Sequence, residues 1–204
     1  MATAAPITYE LGAANISSVT YPPPYGTVEV SLLDSTHATL KYESNIAAGY
    51  IFVGSGAAGA NFNGDVTWVL SSCNAPSGCG SDGGSGNEDG FGNFSNTWNL
   101  DSSGTGRRAS EIILSATLNS GSWGSDVNNV LTPNGSTYVV AAHFGSGSCD
   151  SLSSCNDVTL ATTGFARDSS KLPPPPPETV PEPLSLGLLG TGLLGLGILR
   201  RRRA

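Results

Sequence analysis

The stretch Thr27-Val28-Glu29-Val30-Ser31-Leu32 constrains the fold most, because apolar residues occupy every second position. That period belongs to a strand, where successive side chains leave the pleated backbone on opposite faces. Asp34-Ser35 supplies a turn, and Ala38, Leu40 and Tyr42 then alternate with Thr39, Lys41 and Glu43. Two such runs joined by a short turn predict a hairpin with one apolar face. The alternation recurs at 7–11, 66–70 and 111–118, where Ile112, Leu114, Ala116 and Leu118 share a face. Residues 50–53 and 137–144 are continuous apolar runs, predicted as strands buried on both faces. Phe91, Phe94 and Trp98 mark a further strand region, and 157–165 is predicted as the last strand. The proline run between Tyr21 and Tyr25 reads as a polyproline loop, and 71–90 as one long loop.

No stretch before residue 184 shows helical periodicity. About nine or ten short strands with glycine-rich turns imply an all-β body, an antiparallel β-sandwich with a jelly-roll-like order. This body is assigned to residues 1–170. From Lys171 the chain is expected to leave the fold through a proline-rich linker, 171–179, which includes five consecutive prolines at 173–177. As polyproline, residues 173–183 would make a stiff spacer of about 34 Å.

The last segment, 180–204, has three parts. Val180-Pro181-Glu182-Pro183 is held extended by its prolines around one carboxylate. Residues 184–199 carry no charge and include eight leucines; as a transmembrane helix they would span about 24 Å of a ~30 Å hydrocarbon core. Arginine side chains can snorkel across the missing length. Arg200, Arg201, Arg202 and Arg203 would stay cytoplasmic, placing the body outside. In order and spacing this combination resembles the PEP-CTERM sorting signal. Proteins of that family are substrates of exosortase, a membrane-embedded transpeptidase-like enzyme of Gram-negative bacteria that make exopolysaccharide and biofilm matrix. The resemblance implies that Pro181-Glu182-Pro183 is the processing motif and that the tail is removed during sorting. The body is also loosely similar to uncharacterised β-rich members, through its Ile-Thr-Tyr-Glu-Leu, Gly-Thr-Val-Glu-Val and Ala-Ala-His-Phe stretches.

Export requires a signal peptide, and residues 1–20 have neither a basic region nor an apolar core, although Ala2-Thr3-Ala4 is an A-x-A sequence. The reading therefore expects an in-frame signal peptide encoded upstream. The formal charge is −7, and the four tail arginines are among only nine basic residues, so the body is more acidic still. Such a surface repels nucleic acid and anionic lipid. Cys73/Cys79 and Cys149/Cys155 repeat one spacing across turn-rich intervals. Of the three possible pairings, two local bridges are the simplest, in keeping with an oxidising compartment. A zinc site is the alternative, without the close C-x2-C spacing that would favour it.

No nucleophile elbow, zinc-protease motif or P-loop is present, and His143, which follows four apolar residues, reads as a structural histidine. A carboxylate pair of the glycosidase kind would converge only in the fold. The Asp82–Gly90 stretch offers oxygen ligands that would suit calcium, against the plainer reading of a solvated glycine-rich loop; no metal or cofactor is assigned. Trp68 and Trp98 sit in strand patterns. Trp123, flanked by Ser and Gly, is expected to be exposed and is the candidate glycan contact. The reading is thus a non-enzymatic exported surface or extracellular-matrix protein, held transiently in the inner membrane. Its alternatives are a carbohydrate-binding module on the same route and a secreted glycan hydrolase.

Overall fold

A computed structural model describes residues 4–76, 78–101, 106–148, 151–157 and 159–172. The strands run in order β1 Ile7–Ala14, β2 Gly26–Leu32, β3 His37–Ser44, β4 Tyr50–Val53, β5 Ala58–Ala60, β6 Val66–Cys73 and β7 Ser81–Glu88. They continue as β8 Gly92–Asn99, β9 Arg108–Ala109, β10 Glu111–Leu118, β11 Val140–Ser146 and, after a short helix α1 Leu152–Asp157, β12 Thr162–Leu172. Every described pairing is antiparallel.

The predicted hairpin forms with Val28 opposite Tyr42 and Val30 opposite Leu40. All four side chains are fully buried. The alternation places them on one face, and burial of that face stabilises the pair by about 1.5–3 kcal/mol per large apolar side chain. The pairing path then runs β6-β10-β3-β2-β1-β12-β11-β5-β8-β7, one continuous, nearly closed sheet. Two separate hydrogen-bonded sheets, as expected for a sandwich, are not what connects these strands. The join is β11, which pairs β12 on one side and both β4 and β5 on the other. Across the interior, Tyr42 Oη donates to the Gly59 carbonyl at 2.7 Å. Tyr25, Tyr50 and Phe144 pack ring on ring beside it, at 4.6–5.5 Å. The polyproline loop is tied to this cluster, since Tyr50 Oη donates to the Pro22 carbonyl.

Four expectations need correction. Residues 71–90 are not a loop: β6 extends to Cys73, and Ser81–Glu88 is a strand paired with β8. Its sequence, Ser-Asp-Gly-Gly-Ser-Gly-Asn-Glu, has no apolar alternation, so backbone pairing alone defines it. The last strand starts at Thr162, because 152–157 form α1 instead. That strand also runs past Lys171, which lies opposite Tyr9 of β1. Finally, β11 begins at Val140 because residues 134–138 form a tight turn, with Asn134 Oδ1 accepting from the Ser136 and Tyr138 amides and Thr137 at φ 77°. The expected membrane helix, 184–199, and the segment 180–204 lie outside the described residues. Among the described residues no helix is long and apolar enough to cross a membrane.

Candidate functional site

Of the residues singled out by sequence, Val180 to Pro183, Arg200 to Arg203 and Cys149 lie outside the described residues. Cys73 and Cys79 are joined by a disulfide with a Cα–Cα distance of 5.9 Å. Cys155 is disulfide-bonded and fully buried, packed with Ile51 and Val53. Trp123 is a correction: it is 2% exposed rather than open to a ligand. Its Nε1–H donates to the Asn63 carbonyl at 2.8 Å, and its ring stacks on Phe62 at 6.4 Å. The Ser and Gly neighbours that suggested a loop form one, but the indole closes over the core because it finds an acceptor there. The glycan platform assigned to Trp123 is therefore absent from the surface.

His143 is half-buried on β11, with Nδ1 3.0 Å from the Ser55 carbonyl and its ring stacked on Phe165 at 4.4 Å. Burial lowers its pKa, outweighing the Ser55 contact, which raises it. The neutral ring donates through Nδ1. Asp168 on β12 accepts from the Val139 and Val140 amides at 3.0 and 3.2 Å, which fixes the start of β11. Burial raises its pKa, and those amide bonds oppose the rise. The Arg167 guanidinium lies over the Tyr138 ring at 4.3 Å. These contacts hold elements together, and Ser55 and Phe165, the two partners of His143, both line the cleft beside Glu88.

Glu88 is different. It ends β7 and is fully buried, yet neither carboxylate oxygen has a hydrogen-bond partner among the described residues. Burial alone pushes its pKa well above the usual carboxylate range. Glycines make room for it. A Cβ on Gly56, which sits at φ 66°, would stand 2.5 Å from Oε2, and one on Gly59 would stand 3.1 Å from Oε1. Only a residue without Cβ permits that approach.

Glu88 also lines a cleft of about 190 Å³ between the Ser55-Gly56 turn and the β7–β8 hairpin. Thr97 and Asn99 form part of its wall. Gly83 keeps it open, because a Cβ there would lie 2.5 Å from Asn99 Nδ2 and 2.6 Å from Thr97 Oγ1. A second polar cleft of about 390 Å³, lined by Asn61, Asn87 and Asn93 among others, shares Gly86 and Asn87 with the first. Among the described residues Glu88 is the sole carboxyl on the first cleft's wall, so the paired carboxylates of a glycosidase are not assembled there.

From the sequence, Glu88 falls in a stretch read as a solvated glycine-rich loop. The glycines that make room for it, Gly56 and Gly59, lie about thirty positions away, so no local spacing announced its burial. Among the described residues no group of three His, Cys, Asp or Glu side chains converges, and the Cys73–Cys79 disulfide removes the zinc alternative for that pair.

Comparison with known proteins adds the C-terminal segment. Residues 179–203 match the family model of the PEP-CTERM protein-sorting motif. No curated protein and no solved structure matches the chain. The chain thus carries a PEP-CTERM sorting domain over those residues, and the motif implies export and processing by exosortase.

Proposed function

We propose that this is a non-enzymatic cell-surface or extracellular-matrix protein, associated with exopolysaccharide. It would be held transiently in the inner membrane by the 184–199 helix and then processed by exosortase. The PEP-CTERM match at 179–203 carries the reading. For the body we retain a sandwich-like reading, in which opposite stretches of the one bent sheet face each other across a shared core; its jelly-roll-like order remains part of the proposal.

The test is replacement of Pro181-Glu182-Pro183 by alanines in the native host, followed by fractionation. The variant should stay in the inner membrane with its tail intact, and normal release would overturn the sorting argument. A carbohydrate-binding role is the second reading, now favoured only by the asparagine-lined cleft at Asn61, Asn87 and Asn93.

A further inference from the structure

We propose that Glu88 is the carboxylate ligand of an oxygen-coordinated divalent cation, of the calcium type, bound beside the cleft between the Ser55-Gly56 turn and the β7–β8 hairpin. A buried polar group without a partner calls for an explanation, and a bound ion is one of the few available. Two acceptor oxygens with no donor must be met by a positive charge, or the group must stay protonated. Among the described residues no lysine, arginine or histidine forms an ion pair with Glu88. An internal salt bridge therefore does not explain its burial.

The place is built. A Cβ on Gly56 would collide with the carboxylate and one on Gly59 would crowd it, and a Cβ on Gly83 would meet the Thr97 and Asn99 side chains of the cleft wall. The other polar atoms on that wall are neutral oxygens and amides, including Thr97 Oγ1, 3.0 Å from the Gly84 carbonyl, and Asn99 Oδ1, 2.8 Å from the Gly56 amide. Such a set suits a hard cation that accepts carbonyl, amide, hydroxyl and water oxygens in flexible geometry. It does not suit zinc or copper, which take nitrogen and sulfur. With one carboxylate the site is of the weak class, with dissociation constants of about 10⁻⁴–10⁻³ M, as in extracellular modules.

The experiment uses the full chain purified in detergent, stripped with chelator and titrated with calcium chloride. Calorimetry should give one site in the sub-millimolar to millimolar range, and thermal unfolding should rise by several degrees at saturation. Glu88→Gln keeps the shape of the protonated acid and should fold, but should lose at least tenfold in affinity. Should that variant fail to fold, amide shifts of the unsubstituted protein on calcium addition decide: they should centre on Gly56, Thr97 and Asn99. No binding, equal binding by Glu88→Gln, or shifts confined to exposed acids such as Asp34 and Asp65 would overturn the proposal.

Discussion

Trp68 Nε1 donates to Asp82 Oδ1 across 3.2 Å, and these two residues stand on β6 and β7, the two ends of the sheet's pairing path. The bond bridges edge strands that share no ladder. Trp68 is 2% exposed and packs edge-on against Phe62 and Trp98, so its N–H has nowhere else to turn. Asp82 also accepts from the Gly84 amide at 2.8 Å, which shapes the bulged strand it belongs to.

Asp82→Ala should therefore cost about 1–2 kcal/mol, the penalty for stranding a buried donor. Denaturant titration measures the loss. Hydrogen exchange should rise in β7 while β2 and β3 keep their protection. Unchanged exchange in β7 would mean that the bond does not hold the edge.

Trp123 gives a second prediction, because its role has moved from surface to core. Trp123→Ala should lower stability by about 3–5 kcal/mol, the range for deleting a buried aromatic. A glycan array probed under folding conditions should show no loss specific to this substitution. A fully stable variant that had lost glycan binding would restore the surface reading.

What could be read from sequence follows from where the information lies. Val28, Val30, Leu40 and Tyr42 declare their face through neighbours two positions away, and the structure buries all four. Trp123 and Glu88 do not, because distant chain decides their burial. Trp123 finds its acceptor on Asn63, 60 positions away, and Glu88 lies against Gly56 and Gly59. The β7 strand was illegible for another reason. Its glycines carry no pattern, and its place is set by pairing with β8 and by the distant Trp68 indole.

The β2–β3 turn predicts a pH dependence. Asp34 Oδ1 accepts from the Thr36 amide at 2.8 Å, the His37 ring stands 2.8 Å from Oδ2, and the His37 amide donates to Oδ1 at 2.9 Å. The Thr36 amide bond first, and the His37 side chain next, hold the Asp34 carboxyl far below its ordinary value of 3.8. A depressed carboxylate pKa means that the unfolded chain binds the proton first. The contribution of Asp34 is thus whole above about pH 4 and is lost as pH falls through the folded value. Carboxyl NMR should show Asp34 still ionised where the exposed acids have titrated, and Asp34→Ala should flatten that part of the acid limb. An ordinary titration would show that the turn does not order the side chain.

The Cys73–Cys79 bridge closes a short loop at the end of β6, and the Cys79 carbonyl accepts from Trp98 Nε1 at 2.6 Å. Short loops remove little chain entropy, so the bridge should contribute about 2 kcal/mol, less than the ~3 kcal/mol of a fifteen-residue loop. Replacing both cysteines with alanine should lower stability by that amount and loosen the indole contact, seen as a change in tryptophan fluorescence. Non-reducing peptide mapping should recover Cys73 linked to Cys79. A peptide joining Cys73 to Cys149 or Cys155 would refute the local pairing.

The last prediction separates two uses of the 184–199 segment, a permanent anchor and a temporary handle. A permanent anchor needs apolar length, and sixteen residues give about 24 Å against a ~30 Å core. Five of the sixteen are glycine, each of which would weaken a helix there by about 1 kcal/mol relative to alanine. A handle needs instead to meet a membrane enzyme. Gly187, Thr191 and Gly195 recur at every fourth position, which permits close helix–helix approach. Most mature protein should therefore lack the residues after about Pro183. Mass spectrometry of the extracellular fraction from the native host should find body peptides such as those spanning 111–118 and none from 186–199. Recovery of the 186–199 peptide at body stoichiometry from released protein would show that the tail stays on, leaving the anchor as the use of this segment.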